Sequence, residues 1–391
     1  MSRAARAVSI EDLRRLARRR IPRLAFDYID GGAEDELALA GNRAAFDALR
    51  LVPRAGVDVS RRDLSAEIFG RRWAMPFGIA PTGLSDVAGH GTDIAIARAA
   101  AEAGIPYILS TVATTDIETI ARAIPGGFWF QLYMPARREI GHDLVRRAKD
   151  AGAGALLVTL DVAAPGKRER DIRNAFALPF RLTPRVLLDI VSRPAWALDM
   201  ARRGPPRFAS LARYAPPGST AHTLAAFMAS QITADLVWEE IARLRDIFPG
   251  PILAKGVSAP EDVDRAARIG LDGVVVSNHG GRQLGLAAAP IALLPEAVAA
   301  AAGRLIVTLD SGVRRGAHIA AAVALGAAFV FAGRPTLYGA AAGGAAGATR
   351  AITILRDEFD RTLALLGARS VGDLVPAMVR RHGESLCAAP A

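Results

Sequence analysis

The sequence predicts an α/β protein built as a (β/α)8 TIM barrel, and three observations carry that prediction. Eight short apolar runs of strand length recur along the chain, Ala/Leu/Arg-rich stretches with helical spacing follow most of them, and nearly every run ends in a polar or small residue. Strands alternating with helices make a parallel sheet buried on both faces. Eight such units close a barrel, whose strands end together on one catalytic rim. A doubly wound sheet accepts the same alternation but leaves the polar endings unexplained.

Residues 1–75 precede the first run and are expected to form an N-terminal helical extension, in which Ser9 caps a helix with Glu11 and Asp12 in its first turn. The first four runs are "FGIAP" (77–81), "YILS" (107–110), "FWFQLY" (128–133) and "LLVTLD" (156–161). After a long gap come "PILAKG" (251–256), "GVVVS" (273–277), "LIVTLD" (305–310) and "FVFAGR" (329–334). Within one domain, 1–391, the barrel therefore occupies 76–161 and 251–340, with an insertion after strand 4 at 162–250 and C-terminal helices and tail at 341–391. "AAAGGAAGA" (340–348) reads as tight backbone packing or a loop, and the following amphipathic segment as a helix ended by Gly367.

The insertion is far longer than one helix needs. Between 180 and 220 it carries seven arginines against Asp189 and Asp199, with Trp196, Phe208 and Tyr214 among them. Two readings stand: a solvated loop with a short helix, or an interfacial contact with anionic lipid headgroups. The net charge of +10 favours anionic partners. Basic residues are not interleaved with aromatics in a way that reads single-stranded nucleic acid, so no nucleic-acid partner is expected. With Cys387 as the single cysteine, no internal disulfide or cysteine metal site can form. The N-terminus has no apolar core of a secretory signal, and no apolar run reaches transmembrane length. The histidines show no metal-ligand spacing, so no metal is expected.

The strand ends carry the chemistry. Small residues with Arg314 after strand 7, and Gly333-Arg334 ending strand 8, offer backbone amides and guanidinium groups to a phosphate at the position where such barrels frequently bind one. Lys255 is one of three lysines in an arginine-rich chain, and its compact charge suits an electron-rich ring or Schiff-base chemistry. In "SNHGGRQLG", His279 can accept a proton, Arg282 can clamp a carboxylate, and Gly280-Gly281 allow a ligand close to the backbone. Asp161, at another strand end, can orient the histidine ring. Spacing alone does not choose among the arginines of "PGKRERDIRN".

These motifs, with "AFDYIDGGAEDE", "APTGL", "FQLY", "AKG", "LDSGVRRG" and "GRPTLYG", resemble the FMN-dependent 2-hydroxy-acid oxidase and dehydrogenase family over almost the whole chain. Within it, the sequence looks closest to mandelate dehydrogenase and bacterial L-lactate dehydrogenases. The resemblance implies His279 as active-site base with Asp161 as its partner. It implies Arg168, Arg282, Tyr28 and Tyr133 as substrate contacts, Tyr133 also taking part in catalysis. Lys255 would lie near the flavin N1 edge, and Pro81, Thr82, Gly83, Ser110, Gln131, Thr159 and Ser277 would complete the flavin contacts. Asp310, Ser311, Gly312, Arg314, Gly333 and Arg334 would hold the ribityl chain and phosphate.

The implied reaction is oxidation of an (S)-2-hydroxy acid, lactate- or mandelate-like, to the 2-keto acid, with a quinone or other carrier preferred to oxygen as final acceptor. Oxygen use with peroxide formation is the alternative, and a Lys255 Schiff-base aldolase a more distant one. A homo-oligomer, by analogy a tetramer, is expected in the cytoplasm, with peripheral attachment to the cytoplasmic face of the membrane through 180–220. Five positions set the sequence apart from its look-alikes. Gly83 stands where oxidases tend to have alanine, and Val112 where glycolate oxidase has a bulky aromatic. Gly285 replaces the usual aspartate and is expected to loosen its loop, while Asp86 and His90 depart from the family pattern near the expected mouth.

Overall fold

Eight parallel strands close on themselves in chain order: β1 (Phe77–Ile79), β2 (Tyr107–Ser110), β3 (Phe128–Leu132), β4 (Leu156–Thr159), β5 (Ile252–Val257), β6 (Gly273–Val276), β7 (Ile306–Leu309) and β8 (Phe329–Ala332). β8 pairs with β1 through Val330↔Phe77 to complete the ring. Each strand coincides with one of the eight apolar runs. The computed structural model describes residues 3–176, 180, 183–216, 227, 231 and 233–382. His222 and Cys387, and part of the 180–220 stretch, lie outside them.

Alternation along each strand explains the polar endings. Side chains two residues apart share a face, and Ile108, Trp129, Leu157, Leu253 and Val275 all pack inside one apolar cluster in the barrel. Two residues further on, the same face presents Ser110, Gln131, Thr159, Lys255 and Ser277, all buried. The lower layer is thus hydrocarbon and the upper layer is polar. Below it, the antiparallel hairpin Ala66–Ile68 and Arg71–Trp73 plugs the barrel, with Phe69 packed 5.8 Å from Trp129 and Trp129 5.7 Å from Phe331, centroid to centroid.

The extension wraps the outside. Ser9 caps Ile10–Arg20 in a reciprocal capping box, accepting from the Asp12 N–H at 3.1 Å while the Asp12 carboxylate accepts from the Ser9 N–H at 3.1 Å. That helix lies on Arg334–Leu366, where Arg20 donates to the Ala342 carbonyl at 3.0 Å. Gly343 and Gly344 break the long helix, and Gly339 and Gly347 bring its two halves into backbone contact. The small-residue stretch therefore packs tightly and is helical on both sides of a kink. Gly367, at φ +67°, ends the helix.

Where one reading of the 180–220 stretch is a loop with a short helix, the structure holds Pro184–Val191, Pro194–Arg203 and Ala209–Ala212. Proline at the first helical position needs no N–H partner there and already has helical φ, so Pro184 and Pro194 start helices rather than break them.

Candidate active site

A cavity of about 560 Å³ opens at the carboxyl ends of the strands, within the range of small-molecule and cofactor sites. Every expected site residue lines it except Ser110, Gln131, Asp161 and Ser277. Those four stand directly behind the wall. Ser110 Oγ donates to Gln131 Oε1 at 2.9 Å, and Gln131 Nε2 donates to Thr159 Oγ1 at 2.8 Å, a row crossing β2, β3 and β4. Ser277 Oγ accepts from Lys255 Nζ at 3.1 Å and from the His279 N–H at 3.0 Å.

His279 follows β6 in the left-handed region, at φ +57°. A non-glycine residue there costs about 1–3 kcal/mol, and the loop around it is tied down accordingly. Asn278 and Asn42 exchange amide hydrogen bonds at 2.7 and 2.8 Å, and the Gly281 N–H donates to Asn278 Oδ1 at 3.1 Å. Gly280 and Gly281 are also left-handed, and their α-carbons face Arg334 Nη1 and the Leu39 backbone so closely that a Cβ would collide. The glycines therefore admit neighbouring protein, and Gly280 lines the cavity as well.

The histidine ring is held at both nitrogens. Nδ1 lies 3.0 Å from Asp161 Oδ1 and Nε2 lies 3.1 Å from the Tyr133 hydroxyl. An ionised carboxylate only accepts, so Nδ1 carries the hydrogen and Nε2 takes the tyrosine O–H. Burial works against the charge of Asp161, but His279 and then Lys255 outweigh it and hold the carboxyl below its usual range. Burial, followed by the Asp161 and Tyr28 charges, raises the Tyr133 phenol far above its ordinary value, which keeps it a neutral donor. This is a proton acceptor with a fixed tautomer and a counter-charge for its imidazolium.

Two arginines face the same space. Arg168 is set by Asp171, whose carboxylate accepts from Nε at 2.7 Å. Arg282 donates through Nη1 to the Tyr28 and Gly31 carbonyls at 2.6 and 3.1 Å. Burial, and then the like charge of Arg168, push the Arg282 guanidinium below its usual range. Both guanidinium groups lie near the Tyr28 ring, at 5.8 and 5.0 Å from its centroid, and Phe176 stacks on that ring at 4.6 Å. Two guanidinium groups facing one cavity, with Asp171 as the carboxylate partner of the first, suit a substrate carboxylate. The other arginines of that motif point elsewhere: Arg170 to Asp30 and Glu36, Arg173 to Glu169.

Lys255, joined to the His279 backbone through Ser277, is buried, its ammonium 3.2 Å from Asp310. Burial would lower its pKa, but Asp310 and then Asp161 raise it above the ordinary value. A Schiff-base lysine must be neutral to attack; Lys255 is moved the other way. At the far end, Gly312, Arg314 and Gly333 line the cavity, and the Arg334–Leu366 helix begins there with no side-chain cap, so its first-turn amides suit an outside anion. Arg334 also lines the cavity, with a second duty beside the expected one. Three of its five guanidinium N–H groups donate to the Ile29, Gly31 and Gly280 carbonyls at 2.9, 2.8 and 2.9 Å, fastening the extension to the His279 loop. His318, beside Arg314, is a core histidine stacked 4.4 Å from Phe46; burial, then Arg43 and Arg314, push its pKa down to about 3.

Three of the departures find physical accounts. Asp86 and His90 do not line the cavity. Asp86 is buried and accepts from the Thr92 N–H at 3.0 Å, while His90 meets Asp199 of the insertion. Gly285 is not loosened: its carbonyl accepts from the Ala38 N–H at 2.9 Å, and the Glu34 carboxylate fills the place a side chain would take. Restoring the acid as Gly285→Asp sets it against Glu34. A stability loss of about 1 kcal/mol is expected, smaller at high salt and removed by adding Glu34→Ala; melting curves at two ionic strengths check this.

The family described as FMN-dependent dehydrogenase matches residues 17–381. (S)-Mandelate dehydrogenase of Pseudomonas putida is 43% identical over 375 residues, covering 96% of this chain and 94% of that protein. Glycolate oxidase 1 of Zea mays is 38% identical over 382 residues, covering 98% of both. A solved structure described as the monotopic membrane protein (S)-mandelate dehydrogenase superimposes with a TM-score of 0.92 at 43% identity, covering 96% of this chain and 99% of that one.

Proposed function

The chain belongs to the FMN-dependent dehydrogenase family, and from that premise we propose that it oxidises (S)-2-hydroxy acids to 2-keto acids. One observation carries the reading: Arg168 and Arg282 converge beside a Tyr133–His279–Asp161 relay in a single cavity. Bound FMN supplies the two-electron acceptor that the side chains lack. The donor set suits it, with the buried Lys255 ammonium on one wall and glycine-rich strand ends with Arg314 at the other end. Pro81, Thr82, Gly83, Thr159 and Lys255, backed by Ser110, Gln131 and Ser277, would hold the ring. Asp310, Ser311, Gly312, Arg314 and the Gly333-Arg334 backbone would hold the chain and phosphate.

Arg168 and Arg282 fix the substrate carboxylate and Tyr28 adds its hydroxyl, which fixes the carbon that reacts. His279 Nε2 takes a substrate proton, Asp161 stabilises the imidazolium, and Tyr133 gives up its bond to Nε2 as the substrate enters. Lys255 remains protonated and opposes negative charge that develops beside it.

The acceptor is proposed to be a quinone or similar carrier reached from the membrane surface. Leu187, Leu188, Val191 and Leu198 are exposed on the two insertion helices, among Arg185, Arg193, Arg202 and Arg203. An apolar face with a basic rim suits anionic lipid. Among the described residues no helix is long and apolar enough to cross a membrane, so attachment is peripheral in this reading, on the cytoplasmic face. Oxygen as acceptor is the second reading, favoured by the glycolate oxidase relatives. A homo-oligomer, by analogy a tetramer, completes the proposal.

The test is anaerobic mixing of the yellow holoenzyme with (S)-lactate, glycolate, (S)-mandelate and longer-chain (S)-2-hydroxy acids. At least one is expected to bleach the flavin, and a soluble quinone to restore its colour faster than oxygen does. Flavin left oxidised by the whole panel would reject the reading.

A further inference from the structure

The insertion is built into the substrate cavity as well as lying over it. Phe208 and Leu211, from its innermost helix and the residue before it, line the cavity together with Phe176 and Val112. The Ala209 N–H donates to the Ala113 carbonyl at 3.1 Å, joining that helix to the loop after β2. These four side chains give the cavity an apolar wall, which at Phe176 reaches Tyr28, the ring beside both arginines.

The wall is hung from the segment after Gly83. Trp196 is buried and its indole N–H donates to the Val87 carbonyl at 2.9 Å. Asp199, one helical turn on, accepts from the His90 N–H at 2.9 Å and lies 3.2 Å from His90 Nδ1. From Trp196 an aromatic series runs inward: Phe180 at 6.1 Å, Phe176 at 5.7 Å from Phe180, then Tyr28 at 4.6 Å from Phe176. At the other end Arg147 holds the Ser210 carbonyl and the Tyr214 hydroxyl, both at 3.1 Å. Phe208 and Leu211 thus lie between two anchors.

We infer that Trp196 and Asp199, clasped to Val87 and His90, are positioning residues for substrate specificity: they set the insertion's apolar wall against the side chain of the acid. The inference rests on the proposed acid substrate. A small acid such as lactate would be recognised chiefly by the two arginines, whereas an aryl side chain would lie against the wall. The clasp therefore acts on affinity for bulky apolar acids and not on the proton transfer itself.

The experiment uses the FMN-loaded full chain and its Asp199→Ala, Asp199→Asn and Trp196→Phe variants. Binding is read from the flavin absorbance shift on adding phenylacetate, which carries the ring and carboxylate but no hydroxyl to oxidise. Kinetics are read with (S)-mandelate and (S)-lactate. Asp199→Ala is expected to weaken phenylacetate binding and raise the mandelate KM about tenfold, with kcat and the lactate KM within twofold. Asp199→Asn, which keeps an acceptor for the His90 N–H, should recover most of the loss, and Trp196→Phe, which removes only the indole bond, should show a smaller loss of the same kind. Unchanged phenylacetate affinity in the variants, an equal rise in both KM values, or no phenylacetate effect on the wild type would overturn the inference. Failure of the dehydrogenase reading looks different: neither hydroxy acid reduces the wild-type flavin, while phenylacetate binding still reports on the wall.

Discussion

His279→Gln is expected to keep FMN bound and to slow flavin reduction by about 10²–10⁴-fold, the usual worth of a positioned general base. Glutamine can still hydrogen-bond towards Asp161 and Tyr133, so the 3.0 and 3.1 Å contacts that organise the wild-type ring have partial substitutes. What it cannot do is accept a proton near neutral pH. The loss should therefore fall on the rate of reduction at saturating substrate, with FMN content and melting temperature close to wild type. Anaerobic stopped-flow spectroscopy measures that rate directly. Bleaching at the wild-type rate would remove His279 from the proposed role.

Arg282→Lys is the second large effect expected, a fall in kcat/KM of about 10²-fold, or roughly 3 kcal/mol. The guanidinium of Arg282 has two duties: one nitrogen holds the Tyr28 and Gly31 carbonyls, and the others remain for the substrate. A lysine ammonium keeps the charge but lacks the planar fork. It would serve either the carbonyls or the carboxylate. Steady-state kinetics with the best substrate of the panel test this, and a variant within threefold of wild type would show that no carboxylate sits against Arg282.

The barrel and its polar upper layer were legible because both follow from a period of two. Ile108 and Ser110, Trp129 and Gln131, Leu157 and Thr159 occupy one face by strand geometry alone, so an apolar run with a polar end already states where its last side chain points. Long-range pairings were not legible. Asn42 meets Asn278 across 236 positions, and nothing local to either announces the other. The same holds for Arg168 among its neighbours, since Arg170 is drawn away by Asp30, 140 positions earlier. Arg334 carries the sequence context of a phosphate arginine, and nothing local announces that carbonyls from two other segments also accept from it. His90 was read as part of the mouth because Asp199, its partner, lies 109 positions away in the insertion.

The hairpin under the barrel has a kinetic meaning. Trp73 and Ile68 seal the lower end with hydrocarbon, so the described cavity opens at the strands' carboxyl ends and not through the barrel floor. Acid, keto acid and any acceptor that comes close share that end under the proposed function. Under the proposed reaction, the keto acid leaves before the acceptor is served, and plots of reciprocal rate against reciprocal acid concentration at several acceptor concentrations should run parallel.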